Sequence, residues 1–281
     1  MNVWERKNGG KFWRRWEMDR RKRKRRSLRL LAGTVLLAGL CLMPATEAGP
    51  AGQIASYGAS KVVRTGVTSL KAGTRVEKKE IQKNGVSSYF FASAISDAVF
   101  GRMKGKSFKE DCTVPRKDLR YLKVLYCGGD GKSYVGELVC HKEISQDLLE
   151  IFRELYDHDY PIERMVLVDD YDGDDLKSAA ANNTSCFNYR IAAGDSGNLS
   201  YHALGKAIDI NPLYNPYIWT DQEGKVRCDP IEGEAYMDRE EEYPYKIQEE
   251  DLCCRLFKEH GFLWGGSWQG GEKDYMHFSK P

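Results

Sequence analysis

The sequence predicts an α+β fold, in which a small antiparallel sheet has flanking helices. The chain has 281 residues, of which 41% are hydrophobic and 11% are aromatic, and this length is enough for one substantial globular domain with extra segments or for two small domains. Its candidate strands are short and its amphipathic helical segments lie far apart in the chain. This mixture favours α+β over the regular alternation of strand and helix that builds a doubly wound parallel sheet.

A β-hairpin is the first clear element. Residues 121–126 and 134–140 are rich in apolar and aromatic side chains, which is typical of strands. Between them lies Gly128-Gly129-Asp130-Gly131, a strong turn signal. The two segments are therefore predicted to pair.

Two amphipathic helices follow. The first is predicted to begin at Ser145, a residue type that favours the N-cap position, and the second to span residues 250–260 and stop at Gly261. Their inward faces are predicted to carry Leu148, Leu149, Phe152, Leu155 and Tyr156 in the first helix, and Leu252, Leu256 and Phe257 in the second.

Three further strands are predicted. Residues 165–168 form a short apolar run, which indicates a buried strand. Residues 207–210 follow a turn at Gly205, and we expect this strand to present Asp209 inward. Residues 275–278 are predicted to form the last strand.

The N-terminal region has the composition of an export signal. Residues 1–29 contain 13 Lys and Arg against 3 Asp and Glu, and residues 30–43 contain no charge at all. Small residues follow, placed for cleavage after Ala48. We predict a signal peptide or membrane anchor over residues 1–48 and a flexible, Gly- and Ser-rich spacer over residues 49–95. Because the rest of the chain holds 30 basic residues against 38 acidic ones, nucleic-acid binding is not expected.

The chain has eight cysteines, and seven would be left after signal cleavage. An odd number cannot all pair internally. An exported protein can form disulfides. The sequence does not indicate which cysteines would pair, and the candidates are Cys112, Cys127, Cys140, Cys186 and Cys228.

Two separated motifs supply a candidate metal site. The first is S-x-H-x-x-G-x-A-x-D, which contains His202 and Asp209, and the second is D-x-x-H-F, which contains His277. Two imidazoles and one carboxylate suit Zn²⁺. Three protein ligands leave one tetrahedral position open, which is the arrangement of a catalytic rather than a structural zinc site. The pattern therefore points to metal-assisted hydrolysis.

Other polar and aromatic residues lie close to these motifs. Asp274, three residues before His277, is either a general base, a hydrogen-bonding partner of a ligand or a surface charge. Arg190 can polarise a scissile carbonyl, bind a substrate carboxylate or serve a structural role. Trp264 and Trp268 either wall a cleft or belong to the core.

The two motifs together resemble the zinc peptidases of the M15 family, the VanY-like D-alanyl-D-alanine carboxypeptidases and L-alanyl-D-glutamate endopeptidases. Residues 182–190, 200–217 and 261–266 add to the resemblance, which covers about residues 96–278, and we predict a peptidase domain over residues 96–281. It implies a fold shared with the Hedgehog signalling domain.

This resemblance also implies roles for individual residues. Zn²⁺ would be held by His202, Asp209 and His277, Asp274 would be the general base, and Arg190 would face the substrate carbonyl. We also expect Arg190, Ser200 and Trp264 to contact the substrate.

The sequence thus predicts an exported, extracytoplasmic zinc metallopeptidase, attached to the cell wall or membrane, that acts on peptidoglycan stem peptides. We expect a monomer that touches the membrane only through its N-terminal segment. The choice between carboxypeptidase and endopeptidase stays open. The alternative from another class is a non-catalytic zinc-containing module that binds the cell wall, and Asp274 is the residue that argues against it.

Overall fold

The computed structural model describes residues 67–192 and 197–281, and these combine helices with small antiparallel sheets, which confirms the α+β class. The described helices are α1 (Lys78–Asn84), α2 (Asp97–Met103), α3 (Ser145–Asp157), α4 (Asp175–Ala180) and α5 (Leu252–Glu259). The described strands are β1 (Arg75–Val76), β2 (Phe91–Ala94), β3 (Leu119–Cys127), β4 (Ser133–His141), β5 (Ala207–Asp209), β6 (Tyr217–Thr220), β7 (Val226–Asp229), β8 (Leu263–Trp264), β9 (Lys273–Asp274) and β10 (His277–Ser279).

The predicted hairpin is confirmed as β3 and β4, the two central strands of a four-stranded sheet with the order β1-β4-β3-β2. The strands pair from Leu119 opposite His141 to Cys127 opposite Ser133. The turn is closed by the Gly128 N–H, which donates to the Lys132 carbonyl at 2.8 Å. This sheet is the largest in the described part of the chain.

The two predicted helices are also confirmed, and both pack into the main core. Helix α3 lies against β3, and α5 contacts α3. One detail differs from the prediction, because Ile144 rather than Ser145 occupies the N-cap position of α3, and the Ser145 hydroxyl donates to the Lys142 carbonyl at 2.8 Å. The buried residues of these two helices are Leu148, Ile151, Phe152 and Leu155 in α3 and Cys253, Cys254 and Phe257 in α5.

Two three-stranded sheets complete the fold, with the orders β5-β10-β8 and β7-β6-β9. In the first of them, Phe278 lies opposite Ile208, and both side chains are fully buried in the main core. Since side chains alternate between the two faces of a strand, the adjacent pair points the other way. This alternation decides where the polar residues of β5 and β10 lie.

The prediction of a spacer over residues 49–95 is wrong for residues 67–95, so the domain begins before residue 96. Strand β1 pairs with β4, and β2 pairs with β3. The apolar residues of this segment are buried against Leu125 and Val135, and they are Val67, Val76, Ile81 and Tyr89. They follow no helical or strand period in the sequence, because separate short elements bring them to one edge of the sheet.

Met165, Leu167 and Val168 are buried and Val166 is half-buried, but these residues do not form the predicted strand. The Val166 N–H donates to Asn183 Oδ1 at 2.9 Å, and Asn183 Nδ2 donates to the Val166 carbonyl at 3.0 Å. The side-chain amide of Asn183 therefore makes the two hydrogen bonds with the Val166 backbone that a neighbouring strand would otherwise make.

The predicted signal segment and the first part of the predicted spacer lie outside the described residues. Within residues 67–192 and 197–281, no helix is both long enough and apolar enough to cross a membrane. The seven cysteines in these ranges are all free thiols, and six of them are buried.

Candidate active site

Strand pairing brings two of the three predicted ligands together. In the register between β5 and β10, Asp209 lies directly opposite His277, next to the core-facing pair of Ile208 and Phe278. On its other side, the Asp209 backbone exchanges two hydrogen bonds with Ser185, at 2.9 and 3.2 Å. Asp209 is therefore held between two extended segments, and its carboxylate faces away from the core.

A tight turn supplies the third ligand, His202. The His202 N–H donates to the Ser200 hydroxyl at 3.2 Å, and the Gly205 N–H donates to the His202 carbonyl at 3.0 Å. Gly205 has a φ of +66°, and a Cβ there would lie 2.7 Å from the backbone nitrogen of His141. Glycine is thus needed for the turn that leads directly into β5.

The three side chains form a close cluster. His202 Nε2 lies 3.2 Å from His277 Nδ1 and 3.2 Å from Asp209 Oδ2, and His277 Nδ1 lies 3.2 Å from Asp209 Oδ1. Their candidate ligand atoms all lie within 4.8 Å of one another. His202 Nδ1 lies 2.6 Å from the Cys186 carbonyl, which can only accept, so Nδ1 carries the proton and Nε2 is free to bind a metal.

The electrostatics of the cluster favour a cation. Burial by itself would raise the pKa of Asp209, but the interactions with His202 and His277 outweigh it and hold this pKa well below its usual range. Burial by itself would lower the pKa of His202, yet Asp209 raises it overall. Two neutral imidazole nitrogens and an ionised carboxylate are the donors that Zn²⁺ prefers, so the residues fit this metal.

Asp274 lies beside this cluster, on β9 and opposite Tyr217 of β6. Its Oδ1 is buried and has no hydrogen-bond partner among the described residues. Burial raises the pKa of Asp274 to about 7, and the negative charge of Asp209 adds to this effect against the opposing charges of His277 and Arg190. A carboxyl that titrates near neutral pH and has an unused oxygen is suited to take and return a proton.

The backbone of Asp274 is fixed by close contact with Gly265. A Cβ at position 265 would lie 2.5 Å from the Asp274 carbonyl oxygen and 2.8 Å from the Asp274 Cβ. We expect Gly265→Ala to displace Asp274, to cost about 1–3 kcal/mol of stability and to lower kcat, measured by thermal unfolding and by turnover. Gly271→Ala is the matched control, because a Cβ there would meet nothing within 4 Å. Equal activity of the two variants would contradict this role for Gly265.

Arg190 borders the same site. Its Nη2 forms an ion pair with Asp175 Oδ2 at 2.7 Å, and its Nε is buried without a partner among the described residues. The positive charge of Arg190 acts to lower the pKa of both His202 and Asp274. Its guanidinium therefore lies within electrostatic reach of the ligands and of the candidate base.

Unpartnered polar atoms concentrate here. The described residues contain four buried side-chain oxygen or nitrogen atoms without a partner, and three of them are Asn188 Oδ1, Arg190 Nε and Asp274 Oδ1. Buried polar groups are nearly always paired, because leaving one unpaired costs roughly 1–3 kcal/mol. This concentration marks a site that is built to meet another molecule.

The predicted substrate contacts have different outcomes. Ser200 is buried and caps the turn of His202, and its contact with substrate stays a prediction. Trp264 does not fit the predicted role, since it is 6% exposed, belongs to the core and donates its indole N–H to the Tyr275 carbonyl at 3.0 Å. Trp268, by contrast, is 37% exposed, and its ring centroid lies 5.8 Å from that of His277. Of the two tryptophans, Trp268 is the one at the site.

The sequence did not indicate two further residues at the site. Tyr217 lies in one cross-strand row with Asp274 on one side and Asp229 on the other. Asp175 reaches Arg190 from helix α4. Tyr217 ends the segment 200–217 that resembles the family, but the sequence assigned it no role, and Asp175 belongs to no motif. The pairing of short strands and the packing of α4 bring them to this place.

A tight His–Asp–His cluster, a buried carboxyl of raised pKa and a guanidinium define a candidate hydrolytic metal centre. Residues 193–280 match the family model described as D-alanyl-D-alanine carboxypeptidase. This match confirms the predicted resemblance to the M15 peptidase family over these residues. The match includes His202, Asp209, Asp274 and His277, and it begins three residues after Arg190. No curated protein and no solved structure matches the chain.

Proposed function

We propose that this protein is an exported zinc metallopeptidase that hydrolyses peptide bonds in the stem peptides of bacterial peptidoglycan, on the fold of the D-alanyl-D-alanine peptidases and the Hedgehog domain. The observation that carries the proposal is the cluster of His202, Asp209 and His277 beside the buried carboxyl of Asp274. The family match supports peptidase activity, and it covers all four of these residues.

His202 Nε2, Asp209 and His277 Nδ1 would hold the zinc ion. Bound there, Zn²⁺ would polarise the scissile carbonyl and increase the acidity of a water molecule. The Cys186 carbonyl keeps His202 in the tautomer that presents Nε2, so the ligand orientation is set before metal binds.

Asp274 is the proposed general base. In its ionised form it accepts a proton from the attacking water, and as the acid it then returns this proton to the leaving amine. Arg190 is proposed to donate to the carbonyl oxygen as negative charge develops on it. A module that only binds the cell wall would need no unpartnered buried carboxyl next to its metal ligands, so the site favours an enzyme.

Export agrees with the proposed substrate, because peptidoglycan lies outside the cytoplasmic membrane. The supporting evidence is the basic stretch of residues 1–29, followed by an uncharged apolar run over residues 30–43. The site itself does not decide between removal of a terminal D-Ala and cleavage between L-Ala and D-Glu. A carboxypeptidase must bind a free carboxylate, whereas an endopeptidase must accept a chain on both sides of the scissile bond.

The test is mass spectrometry of products after the zinc-loaded full chain has been incubated with purified muropeptides. Loss of a terminal alanine would establish a carboxypeptidase, and a stem cut after its first residue would establish an endopeptidase. If zinc is bound and the fold is intact but the muropeptides stay whole, the proposal fails and the cell-wall-binding module becomes the better account.

The raised pKa of Asp274 gives a pH prediction. A carboxyl with a pKa of about 7 is mostly protonated below that pH, and it then cannot accept a proton. A bound zinc ion adds positive charge and lowers this pKa, so we expect kcat/KM to fall as pH decreases, with a midpoint at or below about 7. A pH–rate profile with saturating zinc tests this. If the residual kcat/KM of Asp274→Asn falls with the same pH midpoint as that of the wild type, the assignment of Asp274 as the titrating base is contradicted.

A further inference from the structure

We propose that Asp175, at the start of helix α4, is a positioning residue that holds the guanidinium of Arg190 in its working orientation. The role rests on the proposed function, because it concerns the residue that would face the substrate carbonyl. Asp175 lies outside both metal-binding motifs and outside the segment that matches the peptidase family.

Both oxygens of the Asp175 carboxylate are engaged. Oδ2 pairs with Arg190 Nη2 at 2.7 Å, and Oδ1 accepts from Asn188 Nδ2 at 3.3 Å. The side chains of Arg190 and Asp175 are 24% and 31% exposed, so solvent screens this pair less than a surface pair. Asn188 and Arg190 lie two residues apart on one extended segment, and Asp175 therefore connects that segment to α4.

Among the described residues, the guanidinium has few other partners. Within this part of the chain, its Nη1 contacts only the Ile191 carbonyl, at 3.5 Å, and its Nε has no partner. The backbone is better fixed, because the Ser200 N–H donates to the Arg190 carbonyl at 3.1 Å. In the described part of the chain, Asp175 is the acidic residue that pairs with Arg190, so it decides where the side chain points.

Charge gives a second reason for the pair. The positive charge of Arg190 acts to lower the pKa of His202, and the negative charge of Asp175 acts to raise it. A guanidinium beside a divalent cation is repelled, and an adjacent carboxylate offsets this repulsion. Asp175 thus allows a positive side chain to stay close to a site that is itself built to bind a cation.

The first experiment compares Asp175→Asn with Asp174→Asn in the zinc-loaded full chain. Asp174 is the N-cap of α4, accepts from the Lys177 N–H and forms no hydrogen bond or ion pair with Arg190. Asparagine also caps helices well, so this control removes the same charge from the same turn and keeps the helix. We expect Asp175→Asn to lower kcat on muropeptides by about 10- to 100-fold, with little change in KM or zinc content, and Asp174→Asn to behave like wild type.

Chemical rescue separates positioning from a purely structural role. Asp175→Ala leaves space for a small carboxylate, and we expect formate to restore part of its kcat relative to wild type in the same formate concentration. Rescue by formate and by Asp175→Glu, with chloride inactive, supports the proposal. Wild-type kcat in Asp175→Asn overturns the proposal. So does a loss of kcat in the Asp175 variants that follows their loss of thermal stability and is not restored by formate.

A readout independent of turnover keeps this inference distinct from the proposed function. The Arg190 Nε–H signal in a ¹H–¹⁵N spectrum, assigned by its loss in Arg190→Lys, reports the orientation of the guanidinium. If the wild-type protein cleaves no muropeptide, the proposed function fails, and the spectrum then decides the positioning role. A signal that shifts or broadens in Asp175→Asn but not in Asp174→Asn supports positioning, and an unchanged signal overturns it.

Discussion

Asp274→Asn should lower kcat on muropeptides by about 100- to 10,000-fold while leaving the zinc content at one ion per chain, because general acid–base catalysis contributes a factor of this size. The substitution keeps the size of the side chain but removes its ability to accept a proton. Asp274 Oδ1 makes no hydrogen bond with the described residues, so asparagine breaks no existing contact of that atom. The loss should therefore appear in turnover and not in folding or metal binding.

The matched control for Asp274 is Glu272→Gln. Glu272 lies two residues earlier and is exposed, and its substitution removes one negative charge from the same stretch of chain. We expect it to keep most of the activity. If Asp274→Asn instead loses zinc together with activity, Asp274 is a ligand or an essential support of one, and the assignment as base is wrong.

His202→Ala should abolish both zinc binding and hydrolysis. His202 supplies one of the three candidate ligand atoms, and loss of a partner that only orients a ligand already costs roughly 10- to 100-fold in metal affinity. Removal of a ligand itself should cost more. The substitution also leaves the Cys186 carbonyl without the imidazole that it holds. Zinc content by elemental analysis and turnover at added zinc measure the two effects.

His158→Ala serves as the control for His202→Ala. His158 is exposed at the end of α3, where its ring lies against the Glu154 carbonyl. We expect wild-type zinc content and turnover for this variant. A His202→Ala protein that is folded by circular dichroism and still binds one zinc tightly would contradict the ligand assignment.

The cluster of two His and one Asp could be predicted from the sequence, because each motif is specified by residues that lie close together in the chain. Gly205 sets a turn that only glycine accommodates easily, and the strand that follows alternates between core and site, so Ile208 and Asp209 must face opposite ways. The hairpin of β3 and β4 and the helices α3 and α5 were predictable for similar reasons. Their apolar periods and turn residues are strong and close together in the chain.

The surroundings of the site could not be predicted from the sequence, because they depend on contacts between segments that are distant in the chain, and such contacts leave no local sequence pattern. Asp175 meets Arg190 only because α4 packs beside the segment that precedes the His202 turn. Trp264 and Trp268 both lie in a Gly-rich stretch, so the sequence alone does not distinguish them. In the structure, Trp264 belongs to the core and Trp268 lies beside His277. In the same way, residues 67–95 join the main sheet through two short strands, and their buried apolar residues lie on separate short elements and follow no period.

The most direct test of the account is a zinc titration of the metal-free full chain, with muropeptide hydrolysis measured after each addition. The account predicts no hydrolysis without metal and a linear rise that ends at one zinc per chain, since the described residues offer one cluster of three suitable ligands. Hydrolysis by the metal-free protein, or its absence from a folded chain that holds one zinc ion, would contradict the central claim that this cluster is a catalytic zinc site.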